Sequence, residues 1–307
     1  MLYKENELPG PNKDLIFQYV ARQLVTQGRH SSAARVPYRA IRASMKVVEA
    51  KAEKFISIIR AKNFGLLFQP VINISTLDIL YFESLARFKK RESPADIIVF
   101  AEETGVVGHL DLAVCSAVVK KLRHMRYYGG RFPISVNISG RSIESDEFVE
   151  MYTTILKNNT DISDDLFLEV TETFKIADLE RANNIIQRIQ ALGFKVCLDD
   201  FGSGAASFQY LRELSVDTVK IDGAYIRKLG QSPRDDAMLR CVVGTCRDLG
   251  VEIIAEHVET KRQSQLLAEL GISFAQGWYY GAPAPDLTWP VPSDGKPESL
   301  AYASTGL

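Results

Sequence analysis

The chain has 307 residues, 46% of them apolar and 24% charged, with a formal net charge of -1. That composition supports a sizeable core and excludes disordered and collagen-like classes. No run of about eighteen apolar residues occurs and the N-terminus lacks a signal-peptide layout, so we expect a cytoplasmic protein with no membrane span.

The neutral total hides an asymmetry. Residues 1–62 carry twelve Lys/Arg and five Asp/Glu, a net +7, which leaves -8 on the remainder. A basic segment of this kind reads first as a solvated face, or as one lying against the chain's own acidic body. Nucleic acid, membrane or an acidic partner ranks lower, and we expect no DNA or RNA polymer binding. A short helix is expected over Asp14–Val25, then a loop through Gln27–Ser32. From Tyr38 to Lys62 the apolar residues Ile41, Met45, Val48, Ala52, Phe55 and Ile59 alternate in steps of four and three, the a/d seam of a helix. The seam is under three heptads long, so packing on the main domain is favoured over helix-mediated dimerisation, which stays open as the sharper reading. Cys115, Cys197, Cys241 and Cys246 are scattered, without a disulfide framework or a Cys-x-x-Cys pair, and read as reduced.

Beyond Asn63 short strand-like runs alternate with longer helical ones, the pattern of successive β-α units. Strands are expected near Leu66–Ile72, Leu80–Arg87, Ile134–Ile138, Phe167–Val170, Val196–Asp199, Thr218–Ile221, Ile253–Ala255 and Phe274–Gln276. Helices are expected over Asp111–Arg126, Leu179–Leu192, Asp235–Leu249 and Thr260–Leu270, with Gly193, Gly250 and Gly271 as stop signals. Eight strands with intervening helices suggest a closed (β/α)8 barrel. The division is then a basic helical segment over 1–62, a barrel over 63–285 and a weakly ordered tail, rich in Pro and Ser, over 286–307.

In such a barrel the chemistry sits where strands end at the C-terminal face. The expected strand ends offer Glu83, Asn137, Glu169, Asp199 with Asp200, Lys220, Glu256 and Gln276. Polar residues inside apolar runs such as Val136-Asn137-Ile138 and Leu168-Glu169-Val170 are costly to bury unpaired, and convergence on a cation relieves that cost. Asp199 and Asp200 are the most telling. Neighbouring side chains on a strand point to opposite faces, so both can reach one site only where the strand stops and turns. Gly202 and Gly204 permit such a turn. Taken alone, Asp-Asp-Phe-Gly is more often an acidic capping loop; a kinase reading fails for want of a glycine-rich strand-loop or a His-Arg-Asp motif. Carboxylates plus one amide suit Mg²⁺ or Mn²⁺ rather than zinc, and a lysine among them fits a phosphate contact or a held water.

Phe82-Glu83-Ser84-Leu85-Ala86-Arg87-Phe88, Ser135-Val136-Asn137-Ile138-Ser139, Leu168-Glu169-Val170-Thr171-Glu172, Leu198-Asp199-Asp200-Phe201-Gly202, Lys220-Ile221-Asp222, Ala255-Glu256-His257-Val258-Glu259 and Gln276-Gly277 follow one another in the order of a known family. Together they resemble the EAL-domain phosphodiesterases, over about Asn63–Pro283. The resemblance implies a TIM-like barrel whose first strand runs antiparallel, a reversal that strand periodicity does not show. It implies a bacterial enzyme that hydrolyses cyclic di-GMP to linear pGpG with two divalent ions, Mg²⁺ or Mn²⁺. Carried over by motif, Glu83, Asn137, Glu169 and Asp199 would hold one ion and Asp199 with Asp200 the other. Lys220 would hold the attacking water or a phosphoryl oxygen. Glu256 and Gln276 would position metal or water, with Glu256 the second acid/base group. Glu172 and Glu259 would support the loop after Asp200. Gln69, Leu85, Arg87 and Asp222 would contact substrate, although Gln69 before Pro70 also reads as a hydrogen-bonded turn residue.

The chain departs from the family pattern in four places. Ser84 replaces the usual alanine, a change its hydroxyl makes tolerable by bonding to backbone. His257 replaces a glycine beside Glu256, and strand alternation is expected to point it away from Glu256. The loop after Gly202 lacks a tyrosine-like residue, and Gly281-Ala282 lacks a basic one. These changes bear on substrate affinity, so the alternative to an enzyme is a cyclic di-GMP receptor or a protein-interaction module. A homodimer is the expected assembly.

Overall fold

The computed structural model describes residues 8–28, 38–88, 93–171, 176–202 and 207–287. Two helices come first, α1 (Lys13–Gly28) and α2 (Tyr38–Arg60), followed by the hairpin strands β1 (Phe64–Asn73) and β2 (Ile79–Phe88). Helices α3 (Pro94–Glu103) and α4 (Val107–Tyr127) then lead to β3 (Ile134–Ser139), the short α5 (Gly140–Ile143) and α6 (Asp146–Lys157). A 3-10 turn over Thr160–Asp165 precedes β4 (Leu166–Thr171), α7 (Leu179–Gln190), β5 (Lys195–Phe201), α8 (Ser207–Glu213) and β6 (Thr218–Ile221). The short α9 (Gly223–Ile226), α10 (Pro233–Leu249), β7 (Glu252–Ala255), α11 (Lys261–Glu269) and β8 (Phe274–Gln276) complete the order.

The strands close into one barrel in chain order, β1 to β8. β1 is antiparallel to both β2 and β8, and every other neighbouring pair is parallel. This is the EAL-type TIM-like fold that the motifs implied. Because parallel strands are covered on both faces, they read as near-continuous apolar runs, and β6 is buried at all four positions. All eight strands lie where the sequence places them. Among the described residues five helices were not among those expected: α3, which opens on Ser93-Pro94, α6, α8 and the short α5 and α9.

The α2 seam is spent largely within the chain. Ala52, Phe55, Ile56 and Ile59 are buried, with the Phe55 ring centroid 6.2 Å from that of Phe88, while Ile41, Met45 and Val48 are half-buried. The basic segment also meets its own body. Arg22 pairs with Glu103 at 2.8 Å, and Lys51 Nζ sits 4.2 Å over the Phe100 ring. The four cysteines are free, and all but Cys241 are buried. The expected tail lies outside the described residues from 288 onward.

A buried carboxylate pair pins the upper end of β3. The Ser139 N–H and the Ser142 hydroxyl both donate to Asp111 Oδ2, at 3.0 and 2.6 Å, while the Ser139 hydroxyl donates to Glu102 Oε1 at 2.7 Å. Burial pushes the Asp111 carboxyl up from 3.8 to about 7, against the pull of its two hydrogen bonds, and raises Glu102 as well. A raised carboxyl binds its proton more tightly folded than unfolded. The contribution of Asp111 to stability is therefore full in acid and is lost as pH rises from about 4 to about 7. Asp111→Asn keeps an oxygen acceptor without a titrating proton. Thermal unfolding from pH 4 to pH 8 should show a flatter profile in this variant and a gain of about 1–3 kcal/mol over the parent at pH 8.

Candidate metal and phosphodiester site

Lys220, in β6, is fully buried and its Nζ faces four carboxylates: Glu83 Oε2 at 3.1 Å, Glu169 Oε2 at 2.9 Å, Asp199 Oδ1 at 3.1 Å and Glu256 Oε1 at 2.9 Å. These come from β2, β4, β5 and the residue just past β7, so four separate stretches of chain converge on one ammonium. Asn137 joins from β3, its Nδ2 donating to Glu83 Oε1 at 3.0 Å. Gln276 joins from β8, its Nε2 donating to Glu83 Oε2 at 2.6 Å and to Gln69 Oε1 at 3.3 Å. Gln69 in turn donates to the Gly281 carbonyl at 3.0 Å. It lies inside β1, paired with Glu83 across the hairpin, so the turn reading of Gln69 is corrected. The error came from Pro70: its missing N–H falls on the side of β1 where the Phe68 N–H meets the Ala284 carbonyl, away from the β2 ladder, so the strand tolerates it.

The aspartate pair shows how neighbours on a strand reach one place. The β5–β6 register slips between Leu198 and Phe201, and Asp200 adopts φ +58, a left-handed conformation that aspartate tolerates better than most residues. Alternation is broken at that point. Carboxylate oxygens of Asp199, Asp200 and Glu256 lie within 4.8 Å of one another, and so do those of Glu83, Glu169 and Asp199. Asp199 belongs to both groups. At Gly202, φ +99, the Tyr225 ring occupies the space a Cβ would need, so the chain above Asp200 passes closer to α9 than any other residue allows.

The electrostatics follow from burial against a single cation. Burial alone would lower Lys220, but the surrounding carboxylates outweigh it and hold the ammonium well above its ordinary value. Burial would raise Glu83, yet Lys220 and the amide hydrogen bonds of Asn137 and Gln276 bring it below the usual range. For Asp199 and Glu169 burial wins, with neighbouring acids adding to it, and both are raised. Glu256 is pushed up to about 7, mainly by burial. One ammonium cannot neutralise this many acids, so the site remains a well of negative charge.

The donor set fits hard divalent ions. Asn137 Oδ1 is buried with no hydrogen-bond partner while its Nδ2 donates to Glu83, so a carbonyl oxygen beside the acids is left without a donor. A cation shared with Glu83, Glu169 and Asp199 would satisfy it, and oxygen-only donors suit Mg²⁺ or Mn²⁺.

The remaining expected residues are more spread. Arg87 and Leu85 are half-buried on the last turn of β2, with Arg87 Nη1 donating to the Ala86 carbonyl at 3.0 Å. Asp222 follows β6 and caps α9 by accepting the Ala224 N–H at 2.8 Å. Glu259 is exposed just before α11. Glu172 and residues 203–206 of the loop after Gly202 lie outside the described residues. Ser84 is buried and donates to the Ser135 carbonyl on the neighbouring strand at 2.6 Å, so the extra hydroxyl is satisfied. His257 contradicts expectation. At φ +55 it escapes strand alternation, and its ring nitrogen comes within 4.8 Å of carboxylate oxygens of Glu256 and Asp222. The Glu102–Ser139–Asp111 support behind Asn137 was also missed. Its only signal is a pair of acids embedded in helices that otherwise bury apolar side chains.

A family model described as the EAL domain matches residues 52–283. The chain belongs to the EAL-domain family. It is 36% identical over 194 residues to the cyclic di-GMP phosphodiesterase PdeB of Shewanella oneidensis, covering 63% of this chain and 22% of that one. It is 33% identical over 238 residues to the probable cyclic di-GMP phosphodiesterase PdeG of Escherichia coli, covering 73% and 46%. The chain thus spans about a fifth to a half of the length of the curated relatives it matches. Among solved structures, an EAL-domain protein from Listeria monocytogenes superposes with a TM-score of 0.67 at 29% identity, covering 76% of this chain and 93% of that one. A complex of the PaMucR phosphodiesterase with c-di-GMP gives 0.67 at 26% identity, covering 76% and 96%. Among the described residues no helix is long and apolar enough to cross a membrane.

Removing the central ammonium tests the arrangement. Lys220→Met leaves four buried acids without their counter-ion and should cost about 3–5 kcal/mol of stability in the presence of a chelator. Added Mg²⁺ or Mn²⁺ should then raise the melting temperature more in the variant than in the parent, as read by differential scanning fluorimetry.

Proposed function

We propose that this EAL domain hydrolyses cyclic di-GMP to linear pGpG with two divalent ions, Mg²⁺ or Mn²⁺. The observation that carries the reading is the convergence of Glu83, Asn137, Glu169, Asp199, Asp200 and Glu256 around Lys220, with the Asn137 carbonyl oxygen lacking a partner. Glu83, Asn137, Glu169 and Asp199 would hold one ion, and Asp199, Asp200 and Glu256 the other. Bound there, the ions supply Lewis-acid activation of water and neutralise charge on the attacked phosphodiester.

The protein's own groups do the rest. Lys220, kept protonated by its acids, has three N–H donors for four carboxylates, so it would hold the attacking water or a phosphoryl oxygen by turning a donor away from one of them. Glu256, held at Oε1 by Lys220, would take at its other oxygen the proton that water loses as the new P–O bond forms. The same proton can pass to the 3′ oxygen as its bond to phosphorus breaks, leaving a 5′-phosphate and a free 3′-hydroxyl. Gln276 holds Glu83 in place, and Gln69 holds Gln276. Gln69, Leu85, Arg87 and Asp222 would line the substrate's path, with Glu172 and Glu259 supporting the loop above Asp200. The basic segment 1–62 would serve as a regulatory or dimerising element appended to the barrel.

Incubation with cyclic di-GMP and Mg²⁺ or Mn²⁺ should yield pGpG by ion-pair chromatography. Glu83→Ala should lower the rate at least about 100-fold, in line with removal of a group that organises transition-state charge. Substrate binding without turnover by the parent would overturn hydrolysis and return the chain to the receptor reading.

A further inference from the structure

His257 stands where the family more often has glycine, and the structure gives the substitution a consequence. Its left-handed backbone, φ +55, turns the ring toward the rim of the barrel rather than away from Glu256. The ring is seated, since a Cβ built on Gly223 would lie 2.6 Å from His257 Cγ, so the imidazole rests against bare backbone at the start of α9. An imidazole nitrogen of His257 and carboxylate oxygens of Asp222 and Glu256 lie within 4.8 Å of one another. Asp222 is oriented by the Ala224 N–H on Oδ1, which leaves Oδ2 for a second donor. Glu256 is oriented by Lys220 at Oε1, which leaves Oε2. Among the described residues no hydrogen bond joins the three side chains to one another.

Two acids alone would be only an acidic rim, and a hard, oxygen-seeking cation would be their natural counter-ion. The imidazole changes the donor chemistry. One histidine nitrogen with two carboxylates leaves an open fourth position, a donor count that suits zinc and its first-row neighbours better than magnesium. We propose that Asp222, Glu256 and His257 form a separate mixed nitrogen-oxygen site at the barrel mouth, which takes a borderline first-row cation, of which Zn²⁺ is the probe. Lys220 beside Glu256, and Arg227 Nη1 at 2.7 Å from the same Cβ position on Gly223, both oppose a cation. The site is accordingly weaker than a structural zinc centre. It shares Glu256 with the hydrolytic site but does not require that site to turn over.

The test titrates Zn²⁺ by calorimetry into protein already saturated with Mg²⁺, and repeats the titration with Co²⁺ read by visible absorption. The parent should bind one Zn²⁺ that His257→Gly does not, or binds at least tenfold more weakly, and the Co²⁺ absorption of that equivalent should vanish with the ring. Glycine accepts the left-handed backbone without strain, and His257→Asn, which also tolerates it, gives an independent second variant. Equal zinc stoichiometry and affinity in parent and both variants overturns the inference. Full displacement of the zinc by Mg²⁺ does too, because it places the ion among oxygen donors only. Cyclic di-GMP turnover on the same samples separates the two readings. Failure of the parent to hydrolyse overturns the proposed function and leaves the zinc count standing, whereas an unchanged zinc count overturns this site whatever the turnover.

Discussion

The centre of this barrel is organised by the contact between one buried ammonium and four carboxylates. At about 3 Å and an effective dielectric of about 20, each attraction is on the order of 5 kcal/mol, enough together to keep Lys220 charged, although burial still outweighs it for Asp199 and Glu169. The acids repel one another as well, and a single Lys220 leaves most of their charge uncompensated. Burial raises Asp199 and Glu169 and the neighbouring acids add to it, while Lys220 and two amide donors bring Glu83 below the usual range. The barrel interior therefore gathers acidic clusters of the kind that suits a metal site. The partnerless Asn137 carbonyl oxygen points to the same conclusion from hydrogen-bond accounting rather than from charge.

Such a cluster could not be buried in a core of arbitrary shape. Parallel strands deliver one side chain each to a common level, and the helices outside cover everything below with apolar contacts. What the regular fold cannot deliver comes from irregularities at the rim. The register slip in β5 and the left-handed Asp200 bring two adjacent carboxylates to one place, and the left-handed His257 does the same past β7. Non-glycine residues at positive φ are uncommon, and two of the four in the described backbone stand at this rim. Strain of this kind persists where the surroundings hold it, and here they are the packed ends of β6 and α9.

The sequence carried the strands and their polar ends well, because a strand covered on both faces leaves a bounded apolar run in which a lone Glu169 or Asn137 stands out. It did not carry direction. A reversed β1 has the same apolar content as a forward one, and the reversal entered only through family likeness. Helices α3 and α6 were passed over because they lie between stronger signals, and with α3 went Glu102. The misdirected expectation for His257 has a single cause. Alternation along a strand presumes extended backbone throughout, and nothing in the letters Glu-His-Val announces a left-handed residue; a glycine at that position would have.

Ser84 and His257 show why departures from a family pattern cannot be weighed by chemistry alone. Ser84 is buried beside Glu83, yet its hydroxyl finds the Ser135 carbonyl on the next strand and is satisfied there. His257 is exposed and would pass for a neutral surface change. Its backbone, however, is one in which a side chain costs about 1–2 kcal/mol relative to glycine. That penalty persists only if the ring's surroundings return something for it, and those surroundings are the bare backbone of Gly223 and carboxylate oxygens of Asp222 and Glu256 within 4.8 Å. The buried substitution is thus the one whose new polar group is satisfied within the chain, and the exposed one is the one whose side chain lies beside two carboxylates at the barrel mouth.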